Sequence, residues 1–170
     1  RARNYWVASV SERGTPHSRP VWGVWVDGGF YFSSGSRIRR NAERRPEVTV
    51  HLESGRECVI VEGRSEIEEN VDVLRAVALQ RAKGIPRFID NEIVLLRQGL
   101  REGYSSPRVI VREVIKQLDE LLATPPAQSP FGAPTERDGD PRFRAAYHAI
   151  VRDEINPAVR RYRDFLSQTY

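Results

Sequence analysis

The feature that most constrains this chain is a change in the spacing of its apolar residues near Asn70. Before that point, short apolar runs bounded by Gly, Ser and Asp predict β-strands joined by close turns. These runs span residues 5–10, 17–26, 30–33, 48–52 and 58–61. After that point, apolar residues recur three and four positions apart, as on one face of an α-helix. Strands and helices in separate blocks predict an α+β chain, which we divide into units over residues 1–70 and 71–170.

Turn residues in the first block place the connections between strands. Asp27-Gly28-Gly29 predicts a tight hairpin, because glycine accepts the positive φ that such turns require. Ser54-Gly55 predicts a second turn, between the last two runs. The pattern of short strands and close turns favours an antiparallel meander or barrel.

Proline and glycine set the expected ends of the helices in the second block. Gly84 is expected to end a helix that starts at Val71, and Pro86 to open the next, which Gly103 ends. Ser106 is expected to cap a third helix.

A loop over residues 124–139 follows the third helix, because this stretch is rich in Pro, Gly and Ser. Asp140 then starts the last helical region, which Pro157 must break or kink.

A short arginine-rich helix interrupts the strands. Ser36 is expected to cap a helix over residues 37–45, which Pro46 ends. Arg37 and Arg40 lie three residues apart and therefore share a face of that helix. A guanidinium group can hold a phosphate through two parallel hydrogen bonds, and the start of a helix offers backbone N–H groups to anions. Charge alone leaves two alternatives open, a phosphate site and a solvated surface helix.

Several short segments within residues 1–68 carry the most specific signal. They are Arg19-Pro20-Val21-Trp22-Gly23-Val24-Trp25, Asp27-Gly28-Gly29, Phe30-Tyr31-Phe32-Ser33-Ser34-Gly35, Ser36-Arg37-Ile38-Arg39-Arg40-Asn41, Pro46-Glu47-Val48-Thr49-Val50-His51-Leu52-Glu53 and Val61-Glu62-Gly63. In order and spacing, they resemble the pyridoxamine 5'-phosphate oxidase-like family of split barrels, which bind FMN or a deazaflavin.

The resemblance implies a flavin-binding module and, where it is active, FMN-dependent oxidoreductase chemistry supplied by the cofactor. It implies that the flavin ring is contacted by Arg19, Pro20, Val21 and Trp22. It implies that the phosphate side is held by Ser34, Ser36, Arg37, Arg40 and Asn41. We name no catalytic residue, because no acid or base in the sequence stands out.

Members of that family continue with further strands that close the barrel, whereas this chain turns helical after about residue 70. We therefore expect a partial antiparallel split β-barrel, followed by an all-α helical segment. Open strand edges favour pairing with another chain. The resemblance implies that this partner is a second copy, which gives a homodimer through the β module.

For four side chains in or near these segments, the sequence predicts only whether they are buried or exposed, or a simple role. Trp22 and Trp25 lie on opposite faces of one predicted strand, so at least one of them should belong to the core. His17 could polarise a ligand, although a lone histidine before a strand is more often at the surface or satisfied. Cys58 is expected to be a buried, inert thiol.

Further short segments, within residues 74–170, point to a different relationship. They are Ile85-Pro86-Arg87-Phe88, Leu96-Arg97-Gln98-Gly99-Leu100-Arg101-Glu102-Gly103, Pro107-Arg108-Val109-Ile110-Val111, Ser129-Pro130-Phe131, Asn156-Pro157-Ala158 and Tyr162-Arg163-Asp164-Phe165-Leu166. They resemble a bacterial family formerly of unknown function that is similar to gluzincin-type zinc metallopeptidases.

The activity of such peptidases requires two histidines four residues apart on a helix, with a glutamate beside the first. The histidines of this chain are His17, His51 and His148, and no two of them have that spacing. We therefore expect no zinc and no peptidase activity. The alternative to a flavin module is a non-enzymatic helical scaffold or interaction fragment.

The amino-acid composition limits which ligands and which cellular compartment we expect for this chain. The net charge of +4 favours anionic ligands, but nucleic acid is disfavoured because no aromatic residue interleaves with the arginines of residues 37–45. No apolar run approaches the roughly 18 residues that span a bilayer. A single cysteine excludes an intrachain disulfide and fits a reducing, cytoplasmic compartment. The absence of methionine predicts that the sequence is part of a longer chain.

Overall fold

A computed structural model of the chain describes residues 5–53 and 58–170, except for the side chain of Ser36. Contacts divide the chain into two compact units, Arg1–Val77 and Ala78–Tyr170. Antiparallel strands precede a block of helices, which confirms the predicted α+β class. The domain boundary at residue 70 stays a prediction.

The first unit contains two antiparallel sheets. The strands are β1 (Tyr5–Val10), β2 (Pro16–Val21), β3 (Gly23–Val26), β4 (Gly29–Phe32), β5 (Glu47–Leu52) and β6 (Ile60–Arg64). One sheet has the order β2-β1-β5-β6, and the other pairs β3 with β4. The described strands do not close a barrel, in agreement with the partial barrel expected from the sequence.

Two turns show why the local sequence forms hairpins. Asp27 and Gly28 join β3 to β4 with φ values of 46° and 82°, and both values lie in the left-handed region that a two-residue hairpin turn requires. Gly14, with φ of 81°, serves the turn between β1 and β2, where the Ser11 amide donates to the Thr15 carbonyl oxygen. The turn predicted at Ser54-Gly55 lies outside the described residues.

The single strand predicted over residues 17–26 is wrong, because β2 and β3 belong to different sheets. Trp22 lies between them and is 68% exposed, and Trp25 is 44% exposed, so neither tryptophan belongs to the core. A Cβ atom at Gly23 would lie 2.2 Å from the ring of Phe30, so only glycine fits at this point. Residue spacing along the strand does not reveal this change of sheet, since it depends on which strands become partners.

The helix α1 (Ser36–Arg44) covers one face of the larger sheet. Ile38 is 2% exposed and forms a buried cluster with Val7, Val21 and Val50. The expected cap at Ser36 is wrong. Gly35 holds the N-cap position without a side-chain hydrogen bond, and the helix begins one residue earlier than predicted.

The helical block contains four α-helices among the described residues. They are α2 (Val71–Arg101), α3 (Arg108–Ala123), α4 (Pro141–Ile150) and α5 (Asn156–Gln168), with a 3₁₀ turn at Pro130–Thr135 and a π turn at Val151–Ile155. The core of the second unit consists of Ala82, Phe143, Tyr147, Ile150, Val151, Ile155 and Val159. None of the described helices is long and apolar enough to cross a membrane.

The predicted break between two helices at Gly84 and Pro86 is wrong, because α2 runs through both residues. An internal proline costs about 3 kcal/mol, since it removes a backbone hydrogen bond and crowds the preceding turn. Ala82 is 1% exposed, and Ile85 and Ile89 pack against the core of the second unit. Burial of these residues on both sides of the proline offsets that cost.

Two predicted helix boundaries are confirmed: α2 ends just before Gly103, and Asp140 caps the start of α4. Gly103 has φ of 84°, and the Tyr104 amide donates to the Gly99 carbonyl oxygen at 2.8 Å, as in a Schellman motif. Asp140 caps α4, because its Oδ1 accepts hydrogen bonds from the Arg142 and Phe143 amides.

The other two expected helix boundaries need correction. Ser106 is not the cap of α3, whose N-cap position is held by Pro107. The Ser106 amide donates instead to the Tyr170 Oη at 2.9 Å. The predicted break of the helical region at Pro157 is absent. Helix α4 continues through the π turn into α5, and the proline lies in the first turn of α5. A π turn is one way in which a helix accommodates a missing hydrogen bond.

Candidate functional site

A cavity of about 550 Å³ lies between α1 and the turn that joins β1 to β2. This volume is within the range of about 300–1,000 Å³ that is usual for small-molecule sites. The helix contributes Arg37, Arg40, Asn41 and Arg44 to the lining, and the hairpin contributes Glu12, Arg13 and His17 among others.

The amphipathic pattern of α1 explains why these side chains face the cavity. Residues 37, 40 and 44 are three and four positions apart, so they form one stripe of the helix. Ile38 and Ala42 form a neighbouring stripe, which is buried. Burial of the apolar stripe therefore fixes the direction of the arginine stripe.

Positive charge predominates around the cavity, because its lining contains four arginines and one glutamate. Arg44 Nη1 donates to Glu12 Oε2, so these two charges satisfy each other. Arg37 and Arg40 are exposed, and neither has an ion-pair partner in the described part of the chain. The cavity can therefore offer two guanidinium groups to an external anion.

His17 lines the same cavity, and its ring has an unsatisfied polar atom. Its Nε2 is buried and has no hydrogen-bond partner within residues 5–53 and 58–170. Such atoms are rare in folded proteins and indicate a water, ion or ligand at the position. The sequence favoured a histidine that lies at the surface or has its hydrogen bonds satisfied, because the residues around it show only that it precedes an apolar run.

Asn41 connects the helix to the hairpin. It is 6% exposed, and its Nδ2 donates to Ser9 Oγ at 3.0 Å. Ser9 Oγ in turn donates to the His17 carbonyl oxygen at 3.5 Å. This chain of hydrogen bonds positions the strand that carries His17 against α1.

Two other residues expected on the phosphate side lie before Arg37 in the chain. Ser34 Oγ is buried without a hydrogen-bond partner among the described residues. Ser36 is the first residue of α1, and its side chain is outside the described part. Arg19 lies close to this loop, because a Cβ atom at Gly35 would be 3.2 Å from Arg19 Nη1.

The residues expected at the flavin ring lie at the end of β2 and do not line the cavity. Arg19 and Pro20 are exposed. Val21 is 5% exposed and packs in the core, so only its backbone can meet a ligand. The structure thus brings Arg37, Arg40 and Asn41 together in one cavity, and the ring candidates lie outside the lining of that cavity.

Comparison with known families follows the division of the chain into strands and helices. Residues 1–96 match the family model described as pyridoxamine 5'-phosphate oxidase, and residues 63–170 match the model of a bacterial protein of unknown function, DUF885. Each match covers more than half of the 170 residues. The chain belongs to both families. Both predicted family memberships are therefore confirmed, whereas the likeness of the second family to zinc metallopeptidases stays a prediction. The two matches overlap over residues 63–96.

Comparisons with solved structures and with curated proteins give little information beyond these two family matches. A crystal structure of the conserved hypothetical protein Rv2991 from Mycobacterium tuberculosis is 28% identical over 46% of this chain, with a TM-score of 0.42. The match covers 54% of that protein, so this chain spans about half of its length. A search of curated proteins found no match.

Some charged groups of the DUF885 part form ion pairs. Arg161 binds Asp90 through two hydrogen bonds, of 3.0 and 2.7 Å, and the hydrogen bonding raises the pKa of the Arg161 guanidinium. His148 Nε2 lies 3.0 Å from Thr135 Oγ1. Within the described residues, no group of three or more His, Cys, Asp or Glu side chains could hold a metal ion.

Cys58, expected to be buried, is exposed. It lies just before β6, an edge strand whose residues are all exposed. The apolar run that follows the cysteine suggested a core strand, but burial depends on whether another layer covers it.

Proposed function

We propose that the pyridoxamine 5'-phosphate oxidase part of this chain binds FMN or a deazaflavin, with the phosphate of the cofactor in the cavity beside α1. The observation that carries this proposal is the pairing of two unpartnered guanidinium groups, Arg37 and Arg40, with the unsatisfied Nε2 of His17. Membership of a family named for an oxidase of a phosphorylated substrate supports a phosphate-bearing ligand.

The donors around the cavity suit the chemistry of a phosphate. Arg37 and Arg40 can each present two parallel N–H donors, and a phosphate oxygen accepts such bonds better than a neutral group does. His17 Nε2 can add a further donor, depending on which ring nitrogen carries the proton. The Asn41–Ser9 hydrogen bond keeps this donor set in place.

The remaining candidates are proposed for both ends of the cofactor. Ser34 and Ser36 lie at the start of α1, where backbone N–H groups favour an anion, and would add to the phosphate contacts. Arg19 would contact the flavin ring. The end of β2, with Pro20, the Val21 backbone and Trp22, is the proposed contact for the flavin ring. A bound flavin would supply the redox chemistry, so we assign no catalytic side chain and propose oxidoreductase activity only through the cofactor.

An absorption spectrum after desalting tests this proposal. The full chain is incubated with excess FMN, or with a deazaflavin cofactor, and passed through a desalting column. We expect a retained visible flavin band, and quenching of tryptophan fluorescence from Trp22 or Trp25. Protein that retains neither cofactor and shows no quenching would disprove flavin binding.

A second function is favoured by the exposed apolar side chains of the helical block. Phe88, Val94 and Leu95 on α2 are 47%, 61% and 45% exposed, and Val109 and Ile110 on α3 are 64% and 52% exposed. We propose that this block is a non-catalytic scaffold derived from a zinc metallopeptidase family. Elemental analysis of the purified chain should show no stoichiometric zinc, and one zinc per chain would overturn this assignment.

We also propose a cellular compartment and an oligomeric state for this chain. The single, exposed Cys58 is compatible with a reducing, cytoplasmic compartment. The open edges of the larger sheet favour a homodimer through the β module.

A further inference from the structure

The second unit has a cavity of its own, of about 400 Å³, between α2 and α5. Its volume lies near the lower end of the range of about 300–1,000 Å³ that is usual for small-molecule sites. Residues three and four positions apart share a face of a helix, so each of the two helices contributes one stripe to the lining. These stripes include Asp90, Ile93 and Arg97 on α2, and Arg161, Asp164 and Phe165 on α5.

One ion pair joins the two helices across this lining. Arg161 Nε and Nη2 donate to the two carboxylate oxygens of Asp90, at 3.0 and 2.7 Å. The two charges satisfy each other, so a ligand gains little from either of them. The remaining charged residues of the lining are Arg97 and Asp164.

Arg97 is a cation without an ionic partner. Its guanidinium carbon lies 5.3 Å from the centroid of the Phe165 ring, which is a cation–π contact. Within residues 5–53 and 58–170, Arg97 has no hydrogen bond or ion pair. The ring contact restrains the side chain but uses none of its N–H donors. Arg97 can therefore hold a carboxylate through two parallel hydrogen bonds.

Asp164 belongs to a cluster with one negative charge in excess. The Arg163 guanidinium serves two carboxylates, since it donates to Asp119 at 2.9 and 3.4 Å and to Asp164 Oδ1 at 3.3 Å. Asp164 Oδ2 accepts no hydrogen bond from the described residues. This oxygen can therefore accept a hydrogen bond from a cationic ligand group.

We propose that this cavity binds a free amino acid with an apolar side chain. Arg97 holds its carboxylate, Asp164 accepts from its ammonium group, and Ile93 and Phe165 supply the apolar part of the lining. One uncompensated positive and one uncompensated negative charge suit a zwitterion, whereas a phosphate would meet Asp164 as a like charge. The modest volume favours an amino acid over a longer peptide. This site does not depend on flavin binding.

Ligand-observed NMR titration of the full-length chain without flavin tests the ligand class. We expect leucine and phenylalanine to bind. 3-Phenylpropionate lacks the ammonium group and phenethylamine lacks the carboxylate, so each should bind about tenfold or more weakly than phenylalanine. Leucyl-leucine carries the same charges on a longer molecule and should bind more weakly than leucine.

Two variants assign the charged ends of the ligand. Arg97→Gln should weaken phenylalanine and 3-phenylpropionate alike, by about tenfold or more. Asp164→Asn should weaken phenylalanine by about tenfold and leave 3-phenylpropionate as tightly bound as before, which also shows that this variant is folded. Arg101→Gln is the matched control, because it removes the same charge from α2 outside the lining, and it should change neither affinity by more than about twofold.

Four results would overturn the proposal. The first is a chain that binds neither leucine nor phenylalanine at millimolar concentrations. The second is equal affinity for phenylalanine and 3-phenylpropionate. The third is an Arg97→Gln variant that binds phenylalanine as well as the Arg101→Gln control does. The fourth is tighter binding of leucyl-leucine than of leucine, which would make a peptide the ligand.

Discussion

Replacing both Arg37 and Arg40 by alanine should remove the preference of this chain for a phosphorylated flavin. The two side chains line one cavity and have no ion-pair partner in the described part of the chain. Their removal therefore breaks no described salt bridge. The loss should appear in ligand binding and leave the unfolding transition of the first unit nearly unchanged.

The size of the effect follows from the donors that are lost. A hydrogen bond to a charged group contributes about 1.5–3 kcal/mol, and the lower figure applies because water reaches both arginines. Two such losses total about 3 kcal/mol, which corresponds to about a hundredfold weaker binding of FMN. Riboflavin has no phosphate, so its affinity should change by less than about threefold.

Binding is followed through quenching of tryptophan fluorescence with FMN and with riboflavin, at fixed ionic strength. Arg39→Ala is the matched control, because Arg39 is on the same helix but pairs with Glu43 at 3.2 Å and does not line the cavity. Higher salt should weaken FMN binding to the unaltered chain more than binding to the double variant.

Two outcomes would refute this reasoning. If the double variant lost FMN and riboflavin affinity equally, the arginines would support the fold or the ring site and not the phosphate. If Arg39→Ala reduced FMN affinity as much as the double variant, the effect would come from the net charge of α1.

Three further predictions concern the helical block. Ile155 is 0% exposed, so Ile155→Ala should lower the free energy of unfolding, measured by chemical denaturation, by about 2–5 kcal/mol. Ile110 is 52% exposed, so the control variant Ile110→Ala should change this free energy by less than about 0.5 kcal/mol. Equal effects of the two variants would contradict the proposed core. Asp140→Ala should cost about 0.5–2 kcal/mol through loss of two hydrogen bonds at the start of α4, and Asp140→Asn should retain most of that stability. Burial raises the pKa of the Tyr147 phenol, an effect that Arg81 partly opposes. Because the folded state favours the neutral phenol, this stability is present below about pH 10 and is lost as pH rises through the raised pKa. Tyr147→Phe should therefore lose less stability between about pH 9 and 11 than the unaltered chain, and identical pH profiles would disprove this linkage.

Family membership and fold class could be read from the sequence, because short motifs and the change of apolar period carry both. The site could be read only in part. The spacing of Arg37 and Arg40 predicted a shared face, and the structure places both at one cavity. Local spacing could not predict that His17 lines the same cavity, because it lies twenty positions before Arg37.

Signals that act within one turn of the chain were decided by the sequence alone. The Asp27-Gly28 hairpin, the end at Gly103 and the cap at Asp140 each need only a local φ angle or a hydrogen bond two or three residues away. Such requirements are met in the same way wherever the segment lies in the fold.

Tertiary structure decided the features that depend on distant partners. It assigned β2 and β3 to different sheets and thereby exposed Trp22. It kept α2 continuous through Pro86, since burial on both sides offsets the local cost of the proline. It also formed a cavity between a hairpin and a helix, because burial and charge contacts bring together residues that are far apart in the sequence.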